Sequence, residues 1–575
     1  MWHHIFRAFG LAFPALLFLL ATLVLKWLGI GTSTTFILPS PRADSTGIFH
    51  FNMRADAAYS SIDLRGPEPR AFEMPKPGDT FRVVVIGESS VQGFPYPSEL
   101  AFPRHLELQL SRQMPSRKVE VLNAGIVGLS STPLVDVVRG ALGCRPDAVV
   151  LYVGHNEFYG IGGVATTAPL TDLGITLRRF RVFQWLTSFR APAMAPSETL
   201  ITRLPSDFSV GATGDLVGRA ERIYRRNLAE MVRLCRASDA EVLLCSVACN
   251  LRDQSPIVSE PPIHETDEQL RLRLEEAASL VASADHESAL TALEAAERLA
   301  PEHALTVYRK GQCLEALGRH ADANGCFARA RDLDACRFRA LGSFRTITRE
   351  IASASDRTHY VDLVEACAQT EAPHAPGSRL FLEHVHFTLE GHWIAAQGIA
   401  RRIVEDVWRQ SWNPARVPSA AERDAWLGVI SLDSLSASIL TSFIIQSPPL
   451  SLSPDASLRL DSVNADIRRL AEEIPPEQLA LFQQLDHQTK IDELVHGIGQ
   501  LLLDRGDAAA ALAMFERAQR RRPWFPNSFI YAAVCQHLLG DDAAARVSLE
   551  RSRHTVVGET PRLSAQRARL QERLR

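Results

Sequence analysis

Continuous apolar runs alternate with helix-spaced stretches through much of the chain. Residues 81–87 (FRVVVIG), 118–125 (KVEVLNAG), 147–154 (DAVVLYVG), 241–248 (EVLLCSVA) and 359–364 (HYVDLV) are five such runs. Apolarity that is continuous rather than alternating marks strands buried on both faces of a parallel sheet. Helical spacing lies between them, over about 100–113, 134–142 and 220–237. The pattern predicts an α/β fold, a parallel sheet sandwiched by helices. Residues 161–215, with many Pro, Thr and Gly, show no period and read as irregular.

Between the fourth and fifth runs the period changes. GQCLEALGRHADANGCFARARDLD places Gly311, Leu314, Gly318, Ala323, Phe327 and Ala330 at offsets that resemble a tetratricopeptide repeat. Half a repeat precedes it, with Ala289, Leu293, Ala296 and Pro301. The pattern returns at Gly499, Gly506, Ala511, Phe515, Ala518 and Pro523. It continues at a 34-residue step through Ala533, Gly540, Ala545 and Leu549. Small residues facing large ones hold the two antiparallel helices of such a unit together. Fewer than three repeats need neighbouring helices to close a core, and the helical patterns from about 421 onward supply them.

The N-terminal run FGLAFPALLFLLATLVLKWLGI, residues 9–30, is interrupted only by Lys26. About 20 apolar residues span a bilayer, and Trp2 and Trp27 flank the run as interfacial aromatics do. It reads as one membrane anchor, with a short cytoplasmic tail at 1–8 and the bulk of the chain on the periplasmic, extracytoplasmic side. A cleaved signal peptide is the rival reading, since 11–25 fits an apolar h-region. The expected layout is then 31–79 as linker and lead-in, 80–263 and 346–410 as two parts of one α/β domain, 264–345 as a helical repeat insertion, and 411–575 as a helical region with repeats.

Composition narrows the classes. Over 575 residues, 62 Lys plus Arg stand against 66 Asp plus Glu, a net charge of -4. That balance argues against a dedicated nucleic-acid binder. Charged residues at 22% and hydrophobic ones at 46% exclude wholesale disorder. Nine cysteines cannot all pair internally, and most fall inside helix or strand patterns, so buried free thiols are expected. Cys245 and Cys249 form a lone C-x-x-x-C, poor support for zinc. His374, His384 and His386 lie close in sequence, but no carboxylate–histidine set completes a metal site. No phosphate-binding loop or dinucleotide fingerprint is present.

Four blocks carry chemistry. The first strand delivers G-E-S-S-V-Q-G at 87–93, putting a serine at the carboxyl edge where such sheets bind ligands. The second ends in N-A-G-I-V-G, with Gly125 and Gly128, and the third in G-H-N-E, with Asn156. Far downstream, L-E-H-V-H-F-T-L-E-G-H brings Glu383 and His386. Singly, each has a bland account: a helix cap, a turn glycine, a structural histidine. Together and in this order they resemble the SGNH (GDSL-type) hydrolase family, over about 80–260 and 346–410. With the anchor and the repeats, the layout resembles a membrane-anchored bacterial subgroup of that family.

The resemblance implies a flavodoxin-like α/β sheet and a serine esterase. Ser89 matches the nucleophile, by its spacing to Gly93; Ser90 is out of register. His386 matches the general base and Glu383 the acid that orients it. The backbone N–H groups of Ser89 and Gly128 and the side-chain amide of Asn156 match the oxyanion hole. Glu383, Glu88 and Glu157 stand where the family usually has Asp. The Glu383 departure bears on reach, and leaves a Ser–His dyad open. Arg252 and Asp253, after the fourth strand, are candidate substrate contacts or a surface salt bridge. The chemistry needs no cofactor and no metal.

Three functions compete. One is an esterase acting on an acyl-ester small molecule or glycan of the cell envelope. Another is an O-acyltransferase, such as an acetyltransferase on an envelope polysaccharide. The third is a scaffold whose repeats bind a protein partner while the hydrolase fold is vestigial.

Overall fold

The computed structural model of the chain describes residues 16–40, 47–60, 64–165, 171–189, 215–260, 267–486, 489, 493–553, 555 and 560–574. Five parallel strands form the central sheet: β4 (Thr80–Gly87), β5 (Lys118–Asn123), β6 (Ala148–Tyr152), β7 (Glu241–Cys245) and β8 (Thr358–Val361). Their order is β5-β4-β6-β7-β8. Counted from β4, this is 2-1-3-4-5, the flavodoxin-like order, whose ligand crevice opens between the first and third strands. The chain runs one way from β4 to β5 and back past β4 to β6. Right-handed crossovers therefore put the intervening helices on opposite faces. Phe102–Gln113 packs with Leu389–Arg402, and Ser131–Ala141 packs with Asp215–Ala237. Val83, Val84, Val85 and Ile86 of β4, buried from both sides, sit at the centre of the core. The α/β class read from the continuous apolar runs is thus the observed one.

The span 31–79, read as linker and lead-in, folds into a three-stranded antiparallel sheet: β1 (Ile37–Pro39), β2 (Ile48–Phe51) and β3 (Ala71–Glu73). Phe36, Phe51 and Phe72 bury their rings in the main core. Its strands are three or four residues long, too short for a periodic signal to rise above the surrounding Pro and Gly. Within 161–215, two helices form at Thr171–Arg178 and Arg181–Ser188. Residues 166–170 and 190–214 of that stretch lie outside the described residues.

Four helices, Asp267–Ala282, His286–Leu299, Ala304–Ala316 and His320–Leu333, make the insertion between β7 and β8. A Cβ on Gly311 would lie 2.9 Å from the Phe327 ring, the small-to-large contact expected there. In the C-terminal helical region, a Cβ on Gly499 would lie 2.8 Å from the Phe515 ring. The insertion's core is continuous with the α/β domain: Val307, Tyr308 and Leu314 share one buried cluster with Leu251, Ala375 and Val385. The C-terminal region is tied on by an ion pair from Arg522 to Glu99 and by Arg104 stacked 4.6 Å over Trp426.

Among the described residues no single helix is long and apolar enough to cross a membrane. The helix Leu16–Trp27 is too short alone, and residues 9–15 of the apolar run lie outside the described residues. All nine cysteines are unpaired, and all but Cys326 are buried.

Candidate active site

β4 delivers the first group. At its end a Cβ on Gly87 would stand 2.2 Å from the Tyr152 carbonyl oxygen, so only glycine lets the two strands finish side by side. Glu88 and Ser89 follow directly, and Ser89 opens a single helical turn that closes on Gly93 at φ 107°. Gly125, at the end of the adjacent β5, lets that chain approach the turn, since a Cβ there would meet Gln92 N at 2.5 Å.

The opposing group comes from the loop 381–387. Phe381 and Phe387 bridge across it, Leu382 N–H donates to the His386 carbonyl at 2.8 Å, and the Thr388 side chain caps the helix that follows. This fold-back turns Glu383 and His386 toward one another. Glu383 Oε1 faces His386 Nδ1, and Glu383 Oε2 accepts the backbone N–H groups of His384 and Val385. His386 Nε2 lies 2.8 Å from Ser89 Oγ. The three side chains form a continuous Ser89–His386–Glu383 line, with Glu383 0% and His386 5% exposed. The adjacent Ser90 is used otherwise, donating from Oγ to the Val385 carbonyl at 3.3 Å. The Phe94 ring stands edge-on to His386 at 5.0 Å.

Burial alone would push the Glu383 carboxyl up, but the flanking imidazoles of His384 and His386 hold it well below the usual range. Burial holds His384 down and depresses His155 to about 3. Glu383 is therefore an anion facing His386.

Gly128 and Asn156 meet at the same edge. Gly128 adopts φ 76°, a left-handed conformation that favours glycine. A Cβ on Gly160 would lie 2.5 Å from Asn156 Cβ and 3.0 Å from the Gly128 carbonyl oxygen, so Gly160 allows the two turns to close together. Glu88 and Glu157, the acids beside the serine and the asparagine, fix these turns together with Asn227, which no motif marks. The Glu88 carboxyl oxygens accept the backbone N–H groups of Gly154 and His155 at 3.0 and 3.1 Å, and a further backbone hydrogen bond comes from Asn156. Glu157 accepts the Ser131 N–H at 2.8 Å and the Ser131 hydroxyl at 2.6 Å. Asn227 Nδ2 donates to the same hydroxyl at 2.9 Å. Thus the block after β4 holds the block after β6, which holds the helix after β5. Burial raises Glu88 to about 8, helped by the Glu157 charge and opposed by its backbone donors. Burial raises Glu157 to about 7 against its Ser131 hydrogen bonds. The sequence signal for both was present: an acid beside the serine and an acid beside the asparagine.

Arg252 and Asp253 are committed to structure. Arg252 Nε donates to Asp253 Oδ1 at 3.1 Å, and Asp253 Oδ2 accepts the Ser378 N–H and hydroxyl at 2.7 and 2.8 Å. They pin the loop after β7 to the segment that leads into loop 381–387, and no hydrogen bond or ion pair joins them to Ser89, His386 or Asn156. The C-terminal region reaches the same neighbourhood. Ser255 Oγ donates to Asp455 at 2.5 Å. Arg459, on the helix Ala456–Glu473, acts electrostatically on Glu383, while its Nη1 is buried without a hydrogen-bond partner. Nothing in the spacing around Arg459 marks it, because its nearness to Glu383 is purely tertiary. His374 stands apart from the His384–His386 pair and bonds instead to Glu315, at 2.7 Å.

Two segments, 274–335 and 496–552, match a tetratricopeptide repeat family. No curated protein sequence matches the chain. Among solved structures it is similar to a lipolytic protein of the G-D-S-L family from Desulfitobacterium hafniense, at 10% identity, covering 56% of this chain and 98% of that one, with a TM-score of 0.25. It is also similar to a lipase/acylhydrolase from Enterococcus faecalis, at 13% identity, covering 56% and 95%, TM-score 0.25. TesA matches at 13% identity, covering 56% and 97%, TM-score 0.23.

Proposed function

We propose that the chain is a serine hydrolase that cleaves an ester through an acyl-Ser89 intermediate. The observation that carries the reading is the Ser89–His386–Glu383 line, with Ser89 Oγ 2.8 Å from His386 Nε2. It is supported by the four sequence blocks that resemble SGNH hydrolases. In this reading His386 takes the Ser89 proton as Oγ attacks the acyl carbon, then returns it to the departing alcohol. Glu383 keeps the imidazole oriented and stabilises its charged form. The developing oxyanion is received by the N–H groups of Ser89 and Gly128 and by the Asn156 amide. Water, activated by His386, then releases the acid.

The proposed substrate is an ester-bearing component of the cell envelope, reached from an N-terminal anchor at 9–30. Leu16, Leu20, Leu23 and Trp27 expose their side chains along the described part of that run, as a lipid-facing helix does. Repeat units commonly bind proteins, and those at 274–335 and 496–552 are proposed to recruit a protein partner.

The test uses the full-length protein, as wild type and Ser89→Ala, with a fluorophosphonate probe and p-nitrophenyl esters of increasing chain length. Labelling and turnover that vanish in the variant are expected. Wild-type turnover matched by the variant would overturn the reading. Acyl glycan formed when a glycan acceptor is added would move the reaction from hydrolysis to transfer.

A further inference from the structure

Glu315, His320 and His374 converge where the repeat insertion meets the α/β domain. Glu315 lies in the last turn of Ala304–Ala316, and His320 opens His320–Leu333. His374 follows Leu363–Glu371, on the segment that leads to Glu383 and His386. One potential ligand atom from each lies within 4.8 Å of the other two. His374 Nδ1 faces Glu315 Oε1 at 2.7 Å, and the two imidazoles stand edge to face with centroids 4.7 Å apart. His320 Nδ1 is buried with no hydrogen-bond partner. The backbone around the cluster is fixed, since Asn324 Nδ2 donates to the Pro373 carbonyl at 3.1 Å.

We propose that these three side chains bind a zinc-type divalent transition-metal ion that clamps the insertion to the α/β domain. Two imidazoles and a carboxylate are a zinc donor set and suit magnesium or calcium poorly. Zinc–ligand bonds of about 2.0–2.1 Å at tetrahedral angles separate ligand atoms by about 3.3 Å. The present spacing reaches that by small side-chain rotations, with water as the fourth ligand. The ion joins two surfaces that already share a core, since Ala375 and Val385 pack with Val307, Tyr308 and Leu314. It also steadies the segment feeding loop 381–387: the Pro376 carbonyl, two residues after His374, accepts the N–H groups of Leu251 and Arg252 at 2.9 and 3.1 Å. Sequence spacing groups His374 with His384 and His386, whereas the fold pairs it with two residues of the insertion.

The test is a zinc titration of full-length, chelator-stripped protein against a chromophoric competitor, with His320→Ala and His374→Ala alongside. The expected result is one zinc per chain with Kd below about 1 µM, weakened at least about tenfold in each variant. Zinc then raises the Tm of wild type and not of the variants, as binding to the folded state alone requires. Metal-free variants are expected to keep the wild-type circular dichroism; if either alanine variant misfolds, the isosteric Glu315→Gln replaces it, with the same weakening expected. Absence of stoichiometric zinc uptake, or uptake unchanged by every folded variant, would overturn the proposal.

Discussion

Ser89 Oγ and His386 Nε2 stand 2.8 Å apart although 297 positions separate them in the chain. The contact joins the turn that ends β4 to the loop 381–387, with the rest of the sheet and the insertion lying between them in sequence. The neighbouring Ser90 instead donates from Oγ to the Val385 carbonyl, which supports the proposal that Ser89 is the nucleophile. Ser89→Ala is expected to cost at least about a thousandfold in kcat, whereas Ser90→Ala keeps turnover within about tenfold of wild type. Steady-state kinetics on a p-nitrophenyl ester separates the two, and the reverse ranking would move the nucleophile to Ser90.

Glu383 tests whether its longer side chain does the work of an aspartate. It reaches His386 Nδ1 while its other oxygen accepts two backbone N–H groups. Glu383→Gln keeps the shape but loses the charge that favours the charged imidazole, so kcat falls roughly a hundredfold to ten-thousandfold with KM little changed. Glu383→Asp withdraws the carboxylate by one methylene and is expected to fall between wild type and Gln. A Gln variant with wild-type kcat would reduce the site to a Ser89–His386 dyad.

Glu88 holds the Asn156 turn without touching Ser89 Oγ or His386. In Glu88→Gln one acceptor oxygen becomes an amide N–H₂ that confronts a backbone N–H of Gly154 or His155. The turn that carries Asn156 is expected to loosen. A fall in kcat of about tenfold or more is expected, with Tm reduced. Unchanged kcat beside a lowered Tm would confine Glu88 to stability.

Buried carboxyls set an alkaline limit to stability. Burial raises Glu88 to about 8 and Glu157 and Glu68 to about 7. Between the ordinary carboxyl value and these raised ones the folded state holds protons that the unfolded chain releases, so stability falls as pH rises. His105 and His155, depressed to about 3 by burial, act oppositely, their contribution growing with pH up to about 6.5, the unperturbed histidine value. Above that only the carboxyls remain of this set. Calorimetry is expected to show Tm declining from pH 6.5 to 8, with the upper part of the decline flattened in Glu88→Gln. A Tm that climbs across this range would contradict the assignment.

The repeats offer a packing test. Gly311 and Gly499 press on the buried rings of Phe327 and Phe515, whereas nothing lies within 4 Å of a Cβ on Gly325. Alanine gains about 1 kcal/mol of helix propensity at each site, and the crowded pair must also displace an aromatic ring, at about 1–3 kcal/mol. Gly325→Ala is expected to raise Tm, and Gly311→Ala and Gly499→Ala to lower it. Scanning calorimetry of the three variants decides.

Much of this architecture was legible in the sequence because it rests on local periodicity. Continuous apolar runs name the central strands of the sheet, since β4 and β6 are buried along their whole length, Arg82 being the one charged residue between them. Gly311 with Phe327 and Gly499 with Phe515 name the repeats, since a helical hairpin packs at a fixed offset. The four blocks around Ser89, Gly128, Asn156 and His386 stood out because each ends a strand or precedes a helix. What the tertiary structure decided has no period to read. The sheet β1–β3 is built from strands too short to show one. Whether Arg252 and Asp253 meet a substrate or one another depends on Ser378, which lies 125 positions downstream of Asp253. The convergence of His374 with Glu315 and His320, and of Arg459 with Glu383, arises where separate helical units dock on the α/β domain. Such contacts depend on how whole elements pack, and spacing along the chain carries no record of them.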